Sequence, residues 1–325
     1  MILYVQEQGA MVQKRNNGIE VRKQGALLYK IPFIGLERLV VFGQVQITTQ
    51  ALQALSEQGI DILYMTRGGR IVFSLNSPGS DNVFLRLAQS QKYLDDTFKL
   101  QFAVQIVIEK LKSQVQYIKT NRWTEDFDWR SRSDRIEELL RDIETKTSID
   151  EIRGVEGLGS RLYFECFGAR STHMPFHGRS RRPAGDEVNA LLNLSYTFLC
   201  NECIAALEGC GFDPAIGYMH GLVYGRKSLA LDIMEVFRVD VVDRLVLRLL
   251  NWSMLTEKHF VQDPIIGYRL TKEAFPIFIE QYEKHISGGT PDYRKEILRV
   301  CRNLQRAILH DKTFTVSPVT GGQTP

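Results

Sequence analysis

The hydrophobic period of this chain changes once, near the turn cluster Asn76-Ser77-Pro78-Gly79-Ser80, and that change restricts it to a fold with a strand-built start and a helix-built remainder. Before the cluster come short β-type runs, Ala26 to Ile31, Arg38 to Phe42 and Ile60 to Met65, with one short helix near Thr49 to Gln58. Asn16-Asn17-Gly18 and Arg67-Gly68-Gly69-Arg70 supply hairpin-type turns, where positive φ is easy for Gly and Asn. After the cluster, apolar residues recur at three and four, as in Phe84, Leu87, Leu94, Phe98, Phe102 and Ile106.

The helical pattern is interrupted twice. A polar stretch from Thr120 to Ser133, carrying Trp123 and Trp129, separates two helices, and a Gly-, Pro- and Arg-rich loop runs from Thr172 to Asp186. Between them Ser148 and Glu151 fit a capping box that opens the helix containing Glu156. A strongly apolar helix over Glu187 to Leu207 stops near Gly209 and Gly211, with Pro214 beyond. The expected fold class is therefore α+β: a β-rich domain over residues 1–78, an all-α domain over 82–314 and a disordered tail over 315–325.

Composition narrows the function classes little. The 325 residues are 44% hydrophobic and 24% charged, and 41 Lys+Arg against 38 Asp+Glu leave a net charge of +3, so any nucleic-acid site must come from local clustering. No basic start precedes an apolar core, and no stretch is read as the roughly 18 apolar residues of a membrane span, so a soluble, cytoplasmic protein is expected. The five cysteines, at 166, 200, 203, 210 and 301, read as reduced core thiols; Cys200 and Cys203 lack the second pair that a zinc site needs.

The segment Ser228 to Phe237, SLALDIMEVF, concentrates the chemistry. Asp232 and Glu235 are its only charged residues, and a spacing of three puts both on one face of an otherwise apolar helix. Buried carboxylates need a cation or hydrogen bonds. The plain solution is Arg238 together with a distant Lys or Arg. A metal is the other solution, since His220 lies in the Gly-bounded segment Ala215 to Gly221 just ahead of this helix, and imidazole beside carboxylates suits Mn²⁺ as carboxylate with water suits Mg²⁺. Glu156, in Gly154-Val-Glu-Gly-Leu-Gly159, is either a solvated helix glutamate or a carboxylate whose flanking glycines admit a close neighbour.

Taken together, GVEGLGSRLYF (Gly154 to Phe164), AIGYMHG (Ala215 to Gly221) and SLALDIMEVFR (Ser228 to Arg238) resemble the metal-site signatures of the CRISPR-associated integrase family of spacer acquisition, often called Cas-one, and Arg179 to Tyr196 is similar to the stretch between its glutamate and its histidine. The resemblance implies a β-sandwich start that forms a homodimer, followed by a helical catalytic domain. It also implies Mg²⁺ or Mn²⁺ held by Glu156, His220 and Glu235, with Asp232 the supporting acid. The partners it implies are a protospacer duplex, the CRISPR repeat and the small protein Cas-two, and the activity is joining of 3′-OH ends to the repeat. Water in place of the hydroxyl gives nuclease activity.

Cations for the DNA are expected from Arg179, Arg181 and Arg182, and from Arg226, Lys227 and Ser228 at the start of the acidic helix, where free amides favour phosphate. Tyr163 and Tyr196 are further candidates that also read as core tyrosines; His173 and His177 read as DNA contacts or as nothing. Two other functions stay open: a stand-alone metal-dependent nuclease, for instance in repair, and a non-catalytic DNA-binding scaffold whose acids form ordinary salt bridges.

Overall fold

The structure is a computed structural model of the chain and describes residues 1–67, 69, 71–75, 82–180, 183–264 and 267–316. The Asn76 to Ser80 turn cluster, Gly68 and Arg70 of the second hairpin turn, Arg181, Arg182 and residues 317–325 lie outside the described residues. The chain divides into two compact units, Met1–Asp81 and Asn82–Pro325.

The first unit runs β1 (Ile2–Val5), β2 (Met11–Arg15), β3 (Gly18–Lys23), β4 (Ala26–Pro32), β5 (Arg38–Phe42), β6 (Gln46–Ile47), α1 (Thr49–Glu57), β7 (Asp61–Met65) and β8 (Ile71–Leu75). Two four-stranded sheets form, in the orders β1-β5-β7-β8 and β4-β3-β2-β6. In the first, β1 and β7 pair parallel with β5 while β8 pairs antiparallel with β7. A parallel pair needs a crossover, and α1 provides it between β5 and β7. Strand alternation turns Val5, Leu39, Val41 and Ile62 of one sheet toward Val12, Ile19 and Val21 of the other, and these share one buried core with Leu55 of α1.

The second unit runs α2 (Val83–Tyr93), α3 (Asp96–Thr120), α4 (Trp129–Asp142), α5 (Ile149–Arg170), α6 (Glu187–Cys210), α7 (Ser228–Phe237), a π-helical turn at Arg238–Asp243, α8 (Arg244–Asn251), β9 (Phe260–Asp263), β10 (Gly267–Leu270), α9 (Ala274–Ser287) and α10 (Tyr293–Leu309). Side chains start the helices that matter most. The Asp95 carboxylate accepts the Phe98 amide ahead of α3, Ser148 and Glu151 form the reciprocal cap of α5, and Asp186 accepts the Asn189 amide at α6. Helix α6 ends on Gly211 at φ 93°, left-handed backbone that suits glycine. At the centre α3 packs against α4, α5 and α7, and α6 against α7 and α10.

Three expectations change. The unit is not all-helical, because β9 and β10 form a short antiparallel hairpin whose Tyr268 amide donates to the Ala184 carbonyl at 3.1 Å; four-residue strands are too short to impose a visible period. Apolar packing continues past residue 314: Phe314 stacks on Phe102 with ring centroids 5.0 Å apart, and Val316 is buried too. Among the described residues one helix, Glu187–Cys210, is long and apolar enough to cross a membrane, with a stretch of mean hydropathy 1.3. Its apolar stretch is 67% buried within the protein, because α6 is a core helix covered on several sides.

Candidate active site

Helices α3, α5, α6 and α7, the π-helical turn after α7, and the loops carrying Phe127, His177 and His220 converge on a pocket of about 870 Å³ lined by Lys110, Glu156, Ser160, His220, Glu235 and Arg238, among others. Its wall also includes Tyr163, His177, Arg179, Tyr196 and Asp243.

Helix α5 brings Glu156 in, and a glycine permits it. A Cβ at Gly159 would overlap Leu111 Cδ2, so α5 lies against α3 at this point, whereas Gly154 and Gly157 have nothing within 4 Å. The close approach expected beside Glu156 thus occurs three residues later, and its consequence is the contact of Glu156 with α3. Lys110 of α3 places its ammonium against Glu156 Oε1, which also accepts the Ser160 hydroxyl at 2.9 Å. That hydroxyl sits one helical turn on, the spacing at which two side chains meet.

The same ammonium lies 2.6 Å from Glu235 Oε2, and Arg238 Nη2 lies 2.8 Å from Glu235 Oε1. Both carboxylate oxygens therefore have a cation. Burial alone would push the Glu235 carboxyl up, but Arg238, Lys110 and the nearby His220 hold it down at about 2. Among the described residues, no three His, Cys, Asp or Glu side chains are grouped so as to hold a metal ion as they stand. The triple expected from Glu156, His220 and Glu235 is not gathered in that form, because a lysine ammonium lies between the two glutamates.

Asp232 faces another way. Its Oδ2 accepts the amides of Tyr218 at 2.7 Å and Met219 at 3.1 Å, and its Oδ1 accepts the His220 amide at 2.9 Å and lies 2.6 Å from His220 Nδ1. A carboxylate is an acceptor only, so Nδ1 carries the shared proton and Nε2 is the ring nitrogen not engaged by Asp232. Gly217 makes this possible: a Cβ there would lie 2.6 Å from the Ser228 carbonyl carbon and 2.9 Å from Asp232 Oδ2, so only glycine lets the 215–221 loop lie against α7.

Beyond Glu235, the π-helical turn holds Arg238 and Asp243 at the pocket. Such turns widen a helix by one residue and re-aim the side chains that follow. The buried Asp243 accepts the Tyr196 hydroxyl at 2.5 Å, and burial raises its carboxyl to about 6. Two guanidinium groups lie over the Tyr196 ring, Arg179 at 5.3 Å and Arg238 at 4.6 Å from its centre.

Of the residues expected to meet DNA, Ser228, Tyr163 and Tyr196 are buried, and Arg226 and Arg179 already have partners within the protein. Ser228 is fully buried and its hydroxyl donates to the Gly221 carbonyl at 3.0 Å. The Leu229 amide donates to the Pro214 carbonyl, so the first turn of α7 is partly covered by the preceding loop. Arg226 is held by that same Gly221 carbonyl and by Ser228 Oγ at 3.1 Å, while Lys227 is exposed. Arg179 reaches Asn189 at 3.0 Å and Asn193 at 2.7 Å on α6. Tyr163 and Tyr196 are 1% and 7% exposed, so they are core tyrosines on the pocket wall. His177 lines the pocket and His173 is exposed beside Thr172. All five cysteines are free, and burial pushes the Cys200 thiol up to about 11.

Lys110, Ser160, Asp243 and the two tight glycines were not singled out from sequence. Lys110 had a signal: Phe102, Ile106, Lys110 and Gln114 recur every four residues and all are buried. A lysine on an apolar stripe needs acids from another element.

The CRISPR associated protein Cas1 family model matches residues 3–284. A CRISPR-associated endonuclease of Thermus thermophilus is 33% identical over 320 residues, spanning 95% of this chain and 94% of that protein. A CAS1 protein from Thermotoga maritima has the same fold, with TM-score 0.85 and 24% identity over 98% of this chain and 100% of that one. So does a casposase bound to its integration product, with TM-score 0.85 and 20% identity over 100% and 95%.

Proposed function

The chain belongs to the CRISPR-associated Cas1 family, and from that membership we propose that it is a metal-dependent DNA integrase and endonuclease of CRISPR adaptation, joining the 3′-OH ends of a protospacer duplex to the CRISPR repeat by transesterification. The observation that carries the metal reading is the pair of carboxylates, Glu156 and Glu235, which bracket one cation in a pocket that also holds His220. Two carboxylates and an imidazole with Nε2 unengaged by Asp232 are a donor set that fits Mg²⁺ or Mn²⁺. Glu156, His220 and Glu235 would hold the ion, which when bound would polarise the attacked phosphodiester and favour the deprotonated 3′-hydroxyl.

The chain's own residues prepare that site. Asp232 fixes the tautomer and direction of His220 and is a positioning residue, not a ligand, since its oxygens already serve three amides and the ring. Arg238 keeps Glu235 ionised and aimed. In the joining step the 3′-oxygen bonds to phosphorus and the displaced 3′-oxygen of the target strand takes up a proton, so no other co-reactant is needed. Exposed Lys227 and pocket-lining Arg179, with Arg181 and Arg182, are the cations we assign to the DNA backbone. The protein would work in the cytoplasm as a homodimer with Cas-two. With water as nucleophile the same site hydrolyses DNA, which is the stand-alone nuclease reading.

The test uses a labelled duplex ending in 3′-OH, a supercoiled target carrying a CRISPR repeat, and Mn²⁺. Covalent label on the target supports integration. Cleavage without transfer leaves only the nuclease. DNA binding with neither activity, unaltered by Glu156→Ala, His220→Ala or Glu235→Ala, leaves only a scaffold.

A further inference from the structure

Lys110 stands where the proposed metal reading puts a divalent ion, and it is built in. It is 4% exposed, its ammonium contacts Glu156 and lies 2.6 Å from Glu235 Oε2, and its backbone belongs to the central helix α3. Glu235 is itself 4% exposed and Arg238 serves only its Oε1, so without Lys110 the other carboxylate oxygen would be buried with one cation fewer.

A second observation lies one turn along the same helix. Gln114 is 2% exposed, lines the same pocket, and its Oε1 is buried with no hydrogen-bond partner among the described residues. A buried amide oxygen left without a donor is costly. Residues four apart on a helix are neighbours, so a lysine stem at 110 reaches the face that carries Gln114.

We propose that Lys110 is a resident counter-cation: in the metal-free protein it holds Glu156 and Glu235 together, and on metal binding its ammonium moves to Gln114 Oε1. This rests on the metal reading above. Lys110 keeps the two acids apart from each other's charge until the ion arrives, and it sets metal affinity, because the ion must displace it. Gln114 is the acceptor that makes the displacement affordable.

The experiment is calorimetric titration of Mn²⁺ into the full chain, with melting temperatures in chelator and in Mn²⁺. Lys110→Met keeps the stem and removes the charge; it binds Mn²⁺ about tenfold or more tighter, melts lower than wild type in chelator and gains more on adding Mn²⁺. Gln114→Leu binds Mn²⁺ more weakly than wild type while melting no lower in chelator. A Lys110→Met affinity equal to or weaker than wild type overturns the proposal, as does an unchanged affinity in Gln114→Leu. If Lys110→Met folds only with Mn²⁺ present, the counter-cation role is supported; if it does not fold even then, Gln114→Leu decides. Failure of the metal reading looks different: wild type takes up no Mn²⁺, or Glu235→Gln binds it as wild type does.

Discussion

His220 Nδ1 lies 2.6 Å from Asp232 Oδ1, and the carboxylate that holds the ring also collects the amides of Tyr218, Met219 and His220. One buried side chain therefore fixes both the loop and the imidazole at its end. Asp232 acts through His220, whereas Glu235, one turn on, shares the Lys110 ammonium with Glu156.

That division predicts opposite profiles for two substitutions. Asp232→Ala strips the acceptor from the buried amides of Tyr218 and Met219 and the part-buried amide of His220, and costs about 3 kcal/mol, at roughly 1–3 kcal/mol for each orphaned buried group. His220→Ala removes a part-exposed ring and costs about 1 kcal/mol or less while abolishing Mn²⁺-dependent joining. Urea unfolding of both variants measures the difference, and equal stability losses would refute the positioning role.

Gly217 and Gly159 each mark a close approach, but against different neighbours. The Cβ of Gly217→Ala meets the Ser228 backbone, which cannot rotate away, while that of Gly159→Ala meets the end of the Leu111 side chain. Overpacking costs about 1–3 kcal/mol, with Gly217→Ala at the upper end and Gly159→Ala at the lower. Thermal melts rank them, and the reverse order contradicts the assignment.

Asp243 carries a pH dependence. Burial raises its carboxyl from 3.8 to about 6, against the hydrogen bond of Tyr196 and the charges of Arg238 and Arg179. The folded protein thus holds this proton more tightly than the unfolded chain, and its contribution to stability is present in acid and falls as the pH rises from about 4 to about 6. Asp243→Asn removes that slope, so relative to wild type the variant gains about 2–3 kcal/mol across the window. Urea midpoints at several pH values test this; a constant difference between the two proteins argues against it.

The start of α7 separates a cation we assign to DNA from a structural residue. Lys227 is exposed, so Lys227→Ala weakens DNA binding at every sequence and lowers the salt slope of log affinity by about one. Ser228 is buried with its hydroxyl on Gly221, so Ser228→Ala costs about 1 kcal/mol of stability and leaves that slope unchanged. Fluorescence anisotropy over a salt series distinguishes the two.

The acidic helix was legible in the sequence because two carboxylates in SLALDIMEVF break an apolar run, a local anomaly that demands compensation. The capping box at Ser148 and Glu151 and the stop at Gly211 are equally local, each set by side chains within a few residues of the backbone they satisfy. Arg238 was readable as a partner of Glu235 from its spacing of three, and it pairs at 2.8 Å. Tyr163, Tyr196 and Ser228 were harder, since a polar residue near a functional motif looks alike in sequence whether its hydroxyl faces solvent or core.

What the sequence by itself determined is the order of strands then helices and the presence of acids that need a cation, because period, caps and charge anomalies act over one or two turns of chain. Only the tertiary structure decided which cation they meet and which acid faces it. Lys110 is 46 residues from Glu156 and 125 from Glu235, and no local rule joins them. Their meeting depends on α3 packing against α5 at Gly159 and against α7, and the orientation of His220 depends on Gly217 letting a loop settle on Asp232. Both are consequences of close packing between distant segments, where the room left by a missing Cβ decides which charges can touch.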